Sequence, residues 1–236
     1  VAADLKTFEA HDVWGALAVT AVTAQNTVGV QAVHPVPADV VRAQIDAVVS
    51  DLGVAAAKTG MLANASVVAA VVAALTELGV TPLVVDPVLV SSTGRPLLDD
   101  GGVAALHDLI ALATVVTPNR AEARALTGAD DPEEAAHALV AMGAKVVMVT
   151  GSETGVDLVL AAGAEPVWLE GTPLGGADTH GTGCVLSAAI CAELARGMEP
   201  ADACVAAKQF TARAIVAAVR LGRGSGPVDP GWERRT

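Results

Sequence analysis

The sequence predicts an α/β protein, a three-layer α/β/α sandwich around a mostly parallel sheet, and three observations carry that expectation. Short runs rich in valine and alanine alternate with longer runs of helical pattern. The short runs are apolar throughout rather than alternating, as befits strands buried on both faces. The 236 residues are 53% hydrophobic yet hold few aromatics and no tyrosine, and small side chains of this kind suit close packing of helix on sheet. No Ser/Gly/Pro linker or charge run divides the chain, so residues 1–236 read as one domain.

Taken in order, a helix is expected over 2–11, followed by a strand in GALAVTAVTA at 15–24. Pro37 suits the start of a helix over 37–51, because proline at a helix entry sacrifices no intrahelical bond. After the strand VAAAK (54–58), Asn64 caps a helix over 64–79 that Gly79 ends. PLVVD (82–86) and TVVT (114–117) are strands on either side of a helix at 101–111. Helices at 119–127 and 132–142 are closed by Gly128 and Gly143, and Pro132 opens the second. Strands KVVMVT (145–150) and VDLVLA (156–161) follow, then helices over 183–196, ended by Gly197, and 200–221.

Charge and composition exclude several functions. A formal net charge of −12, with only 14 scattered Lys and Arg, leaves no basic face for nucleic acid. Three cysteines, Cys184, Cys191 and Cys204, lack metal-ligand spacing and give no disulfide framework, which points to a reducing compartment. Cys191 and Cys204 read as small buried hydrophobes. No apolar run reaches the ~18 residues of a membrane span, so a cytoplasmic protein without membrane contact is expected. His11, His34, His107 and His137 read as solvated surface residues, whereas His180 lies in a glycine-rich turn where it is a possible orienting group.

In open parallel sheets, ligands bind beyond the carboxyl ends of the strands. The residues that follow each apolar run here are Gln25-Asn26-Thr27, Thr59-Gly60-Met61, Asp86-Pro87, Pro118-Asn119 and Gly151-Ser152. Strand ends need turns, and that alone accounts for part of the pattern. It does not account for the Gln-Asn pair, or for Lys58 just inside a buried strand.

The stretch DTHGTGCVLSAAICAELARG (178–197) runs from a glycine-rich turn directly into an apolar helix. Such a turn directs backbone N–H groups inward at the positive end of the helix dipole, which makes a cradle for a phosphate or oxyanion. The same residues also make a plain entry to a buried helix. A thiol at this position, Cys184, is placed for thiolate stabilisation by the dipole, or alternatively for simple burial. Asn119 and Glu122, three apart at a helix start, share one face: they form a capping box or present a carboxylate to a Mg²⁺ shell. Asp86 before Pro87 is a turn former or a carboxylate near a metal or transferred phosphate.

These segments resemble a known family. ADLKTFEAHDVWGALAVTAVTAQNTVGVQ, AAAKTGML, VVDPVLVSSTGRPLL, TPNRAEARALTG, DTHGTGCVLSAAICAELARG and AAKQFTARAI occur in the order found in the hydroxymethylpyrimidine and hydroxymethylpyrimidine-phosphate kinases of thiamin biosynthesis, within the ribokinase-like superfamily. The resemblance spans nearly the whole chain. TAVTAQNT and THGTGC are specific to this branch, which also includes pyridoxal kinases, and TPNxxEA is shared more widely.

The resemblance implies a ribokinase-like kinase that uses ATP and Mg²⁺ to phosphorylate 4-amino-5-hydroxymethyl-2-methylpyrimidine and then its monophosphate. It implies that Gly181, Thr182, Gly183 and Cys184 surround the transferred phosphate, with Cys184 where sugar kinases of the superfamily carry a catalytic Asp. Gln25 would bond the aminopyrimidine, and Asp4, Met61 and Val88 would line its pocket. Asn119 with Glu122 and Asp86 would serve the Mg–phosphate end, and Thr150 and Lys208 the nucleotide side. A homodimer is implied, as is a first strand and Gly-rich segment upstream of residue 1. Many bifunctional members carry Lys-Gly-Gly where this chain reads Thr150-Gly151-Ser152-Glu153, so one positive partner for phosphates is replaced. Pyridoxal kinase is the alternative enzyme, since pyridoxal also offers a hydroxymethyl on a flat heteroaromatic ring. A pyrimidine-binding sensor without catalysis is the alternative from another class.

Overall fold

The computed structural model describes residues 1–91, 93–173 and 180–235, so Asp178 and Thr179 of the glycine-rich motif lie outside the described residues. Eight α-helices are found among these: α1 (Ala2–Ala10), α2 (Ala38–Leu52), α3 (Ala65–Glu77), α4 (Asp100–Ile110), α5 (Arg120–Thr127), α6 (Pro132–Ala141), α7 (Thr182–Ala195) and α8 (Pro200–Val216). The strands are β1 (Ala21–Asn26), β2 (Gly29–Pro35), β3 (Ala57–Thr59), β4 (Leu83–Val85), β5 (Val115–Val116), β6 (Val146–Val149), β7 (Asp157–Ala161) and β8 (Val167–Leu169).

Strands β3 to β8 form one six-stranded sheet in sequence order. The pairings from β3 to β6 are parallel, and β7 and β8 add antiparallel strands at one side. Alternation along each strand sends side chains into two separate cores. Val85, Val116 and Val147 pack with α3, α4, α5 and α6, while Val84, Val115, Val146 and Met148 pack with α7 and α8. The three-layer expectation is therefore met. Helix α7 is the most enclosed of the helices, with nine of its residues buried from Val185 to Leu194.

Local signals worked where a side chain or glycine satisfies the backbone. Asn64 Oδ1 accepts from Val67 N at 3.0 Å at the start of α3. Gly79, Gly128, Gly143 and Gly197 all adopt positive φ just past their helices.

Three expectations are corrected. Residues 15–20 are not strand, and among the described residues β1 pairs with β2 alone, in a separate antiparallel hairpin outside the main sheet. Gln25 therefore sits on a hairpin, at a register shift between Ala24 and Gln25, and not at the end of a core strand. Helix α8 ends at Val216 rather than at 221, although the Ala/Val pattern runs on. His11 is buried, with Nδ1 2.8 Å from the Thr7 carbonyl and its ring centroid 4.4 Å from that of Phe210, so it is a core residue and not a solvated one.

The segment after α8 fastens the hairpin to the rest of the molecule. Arg223 N and Gly224 N both donate to Thr27 Oγ1 at 3.2 Å, and Ser225 N donates to the Thr27 carbonyl at 3.1 Å. A β-carbon on Gly224 would collide with that carbonyl, which makes glycine obligatory at this approach. Three residues on, His180 N donates to the Gly226 carbonyl and Val228 N to the His180 carbonyl. One strap thus holds both the hairpin tip and the turn that leads into α7.

Candidate active site

The carboxyl ends of β3 to β6 open into a cleft of about 2090 Å³, whose lining also includes Ala21, Thr23 and Gln25 of β1. All thirteen residues singled out from the sequence line it: Asp4, Gln25, Met61, Asp86, Val88, Asn119, Glu122, Thr150, Gly181, Thr182, Gly183, Cys184 and Lys208. The register explains the gathering. Val85 pairs with Val116, so Asp86 and Thr117 leave the sheet side by side, and Asn119 bridges Thr150 beyond β6.

At the entrance to α7, Gly181 has φ +85 and occupies the N-cap position in the left-handed region. A residue with a β-carbon is strained there. At Gly183 a β-carbon would meet nothing within 4 Å, so that glycine leaves open space above the helix terminus. The first turn of a helix has N–H groups without intrahelical acceptors, and together with the dipole they favour an anion. The residues present therefore fit a phosphate group.

Beneath this turn lies a buried ionic cluster. Lys58 Nζ donates to Asp4 Oδ1 at 2.9 Å, with the lysine side chain 7% exposed. Burial works against the ammonium, but Asp4, with Cys184 and Asp86 behind it, outweighs that and holds Lys58 above its ordinary value. Burial likewise opposes the Asp4 carboxylate, yet Lys58 holds it below its usual value. Asp86 is buried, and desolvation raises its pKa, with Lys58 and a hydrogen bond from Ser187 offsetting only part of this. Ser187 Oγ lies 3.0 Å from Asp86 Oδ2 and 3.0 Å from the Gly183 carbonyl.

The thiolate expectation for Cys184 is not met. Burial first, then the nearby Asp86 carboxylate, push its thiol up to about 11, with Lys58 pulling weakly the other way. At neutral pH the group is a thiol. Cys191 and Cys204 are buried in the α7–α8 core, as expected.

Asn119 and Glu122 form the capping box in full: Asn119 Oδ1 accepts from Glu122 N and Glu122 Oε2 accepts from Asn119 N, both at 2.9 Å. Glu122 does more than cap, because its Oε1 also accepts from Leu89 N at 3.4 Å. Burial, aided by Asp86, raises its pKa to about 7 despite those two N–H donors. Lys208, expected on the nucleotide side, spends all three N–H donors on protein oxygens: Leu169 O at 2.7 Å, Asp157 Oδ2 at 2.8 Å and Gly155 O at 3.0 Å. Asp157 Oδ1 in turn accepts from Gly151 N at 2.8 Å. Lys208 thereby shapes the Thr150–Gly155 turn.

Sequence reasoning missed three groups. Lys58 stood out only as a lysine inside an apolar strand. Ser187 lay in an apolar helix with nothing to mark it. Thr117 Oγ1 is buried along the cleft without a hydrogen-bond partner among the described residues, a hydroxyl hidden within the TPN motif.

Comparison with known proteins agrees with this geometry. Residues 1–229 match the family model for phosphomethylpyrimidine kinase. The chain is 42% identical to the hydroxymethylpyrimidine/phosphomethylpyrimidine kinase of Haemophilus influenzae, over 97% of this chain and 90% of the relative. An ADP complex of Bacillus subtilis pyridoxal kinase superposes with a TM-score of 0.91 at 35% identity, covering 100% of this chain and 93% of that one. Phosphomethylpyrimidine kinase from Clostridium difficile gives 0.80 at 33% identity, covering 90% and 91%. With the left-handed glycine cradle, the buried carboxylate and the capping-box glutamate on one rim of the sheet, this chain belongs to the phosphomethylpyrimidine kinase family.

Proposed function

We propose that this protein, as a single kinase domain, transfers the γ-phosphoryl group of ATP to the hydroxymethyl group of 4-amino-5-hydroxymethyl-2-methylpyrimidine, and then to the resulting monophosphate. The observation that carries this reading is the entrance to α7, where a left-handed Gly181 and an unobstructed Gly183 place a helix N-terminus at the floor of the cleft. Backbone donors fixed before the reaction cost no reorganisation as charge develops on the transferred group.

The other residues take roles that follow from their surroundings. Gln25 offers both a donor and an acceptor, which matches the aminopyrimidine edge, and Asp4, Met61 and Val88 wall the ring. Gly181, Thr182, Gly183 and Cys184 surround the transferred phosphoryl group. Asn119 and Thr150 lie toward the nucleotide phosphates, and Lys208 supports that turn from behind. Asp86 and Glu122 are the carboxylates suited to Mg²⁺, which would neutralise phosphate charge when bound. Ser187 and the capping-box N–H groups hold those two carboxylates in place.

The test is direct. Incubation with ATP and the pyrimidine alcohol should yield the monophosphate and then the diphosphate, resolved by mass spectrometry. Absence of both products overturns the reading. Pyridoxal belongs in the same assay, because the close superposition on a pyridoxal kinase favours some activity on that ring as a second reading. A cytoplasmic homodimer is part of the proposal. Among the described residues, Trp14 is 89% exposed near the hairpin, whose Val22 and Val28 are also open, and no helix is long and apolar enough to cross a membrane. Light scattering of the purified protein would read the assembly.

A further inference from the structure

Lys58 is buried more deeply than an ammonium tolerates without acceptors, and among the described residues it has one, Asp4. An ammonium carries three N–H donors, and buried polar groups are ordinarily matched in full. Lys208 provides the contrast within the same protein, with three oxygens on its three donors. Only three lysines and no arginine line the cleft among the described residues: Lys6, which is exposed, Lys208, which is fully engaged, and Lys58.

The placement of Lys58 gives its spare donors a direction. In register with Val84, its side chain lies on the α7 face of the sheet, the face that also receives Asp86. The next glycine keeps the approach clear, since a β-carbon on Gly60 would stand 3.4 Å from Nζ. Gly183 and Cys184, in the first turn of α7, line the same cleft as Lys58. The ammonium therefore stands at the boundary between the ring pocket and the anion cradle.

We propose that Lys58 is the binding residue for the phosphate of the monophosphate substrate, and so the residue that fits this site for the second phosphorylation. The inference rests on the two-step reading above. In the first step the attacking group is a neutral alcohol, whose proton is lost as its oxygen bonds to the γ-phosphorus and the bond to the ADP oxygen breaks. In the second, the attacking group is a phosphate monoester, largely ionised near neutral pH because its second pKa is about 6. One of its oxygens forms the new P–O bond, ADP departs with the electron pair of the broken bond, and the dianion needs no deprotonation. It brings instead two negative charges into a site already holding Asp4 and Asp86. Without a cation those charges repel, and Lys58 is the cleft lysine with donors left to meet them.

The test compares the two steps in Lys58→Met, Lys58→Gln and Lys58→Arg, with the fold checked by circular dichroism. Lys58→Gln removes the charge but keeps a polar side chain, and carries the test if Lys58→Met does not fold. In the neutral variants, kcat/KM for the monophosphate should fall at least tenfold further than kcat/KM for the alcohol. Calorimetry should show monophosphate affinity weakened at least tenfold more than alcohol affinity. Lys58→Arg should recover most of the monophosphate step. Equal losses in both steps, or an arginine variant as impaired toward the monophosphate as the neutral ones, overturn the inference and leave Lys58 as a strut between α1 and β3. Wild-type protein inactive on both pyrimidines would instead overturn the functional reading, and this inference with it.

Discussion

Ser187 Oγ donates to Asp86 Oδ2 across 3.0 Å, joining the helix that opens the anion cradle to the strand end that carries the buried carboxylate. Ser187 is itself 0% exposed and Asp86 6%, so neither has water to fall back on. Ser187→Ala should cost about 1–2 kcal/mol of stability, the usual price of stranding a buried acceptor. Turnover should fall more than the folded fraction explains, because the carboxylate loses its tether to α7. Denaturant unfolding and steady-state kinetics on one preparation separate these effects. Full activity with normal stability would show that Asp86 needs no such anchor.

The thiol of Cys184, pushed up to about 11, holds on the order of 10⁻³ or less of its population as thiolate at pH 7.5. Such a group is a poor base and a slow nucleophile. Cys184→Ala should therefore slow phosphorylation of the alcohol and of the monophosphate by similar factors, within about threefold of each other, through altered packing of the cradle. Alkylation by iodoacetamide at pH 7.5 should be slow and should quicken as pH rises. An alcohol step depressed ~10² more than the monophosphate step would restore a base role.

Gln25 is exposed on a hairpin rather than buried in the core, so its replacement should leave stability nearly untouched. On the proposed contact between its amide and the ring, Gln25→Leu should raise the KM for the pyrimidine by about 1–3 kcal/mol of lost binding. The KM for pyridoxal should rise less. Unchanged kinetics with the pyrimidine would place ring recognition elsewhere on the hairpin.

Glu122 makes stability depend on pH in an identifiable direction. Its carboxyl retains a proton up to about pH 7 in the folded protein, against a value of 4.5 when unperturbed. Between those limits the folded state binds more protons than the unfolded one, so stability falls as pH rises from about 4.5 to 7 and levels off beyond. The contribution is on the order of 3 kcal/mol. Glu122→Gln keeps an acceptor for the capping N–H and removes the titration, so its stability relative to wild type should improve from pH 5 to pH 8. Urea unfolding at the two pH values measures this. A difference that stays constant would mean that Glu122 does not titrate in that window.

Much of this architecture was legible because local chemistry and global pattern agreed. Asn64, Asn119 and Pro132 mark helix starts, and four glycines mark ends by a backbone conformation other residues avoid. Strands β4 to β6 are apolar because both faces are covered. The misreadings share a different cause. Strand β2 is largely exposed and β8 lies at the sheet edge with Val167 and Trp168 in solvent, so neither has a burial pattern to read. Residues 15–24 are apolar as a core strand would be, yet pairing decides strand identity: 15–20 are not strand, and 21–24 pair with β2. In the site, the spacing of the glycine-rich and capping motifs left both a structural and a ligand-binding reading open, and the family resemblance supplied the roles. Ser187 and the charge state of Cys184 were not legible: Ser187 meets Asp86 101 positions away along the chain, and Cys184 is governed by burial first and then by the same Asp86.

The hydrogen bond from Gly224 to Thr27 closes a loop of 197 positions in the sequence. A contact of that separation forms late, because the chain entropy lost in closing it is recovered only when both ends are in place. During vectorial synthesis, the hairpin that carries Gln25 waits for the strap at 223–228, 197 positions further on at Gly224, before it can be fastened. Substrate can therefore stabilise the finished protein by mass action yet offers little help to the growing one. Chaperone dependence at the ribosome should accordingly be insensitive to the supply of pyrimidine, whereas the half-life of the completed kinase should lengthen with it.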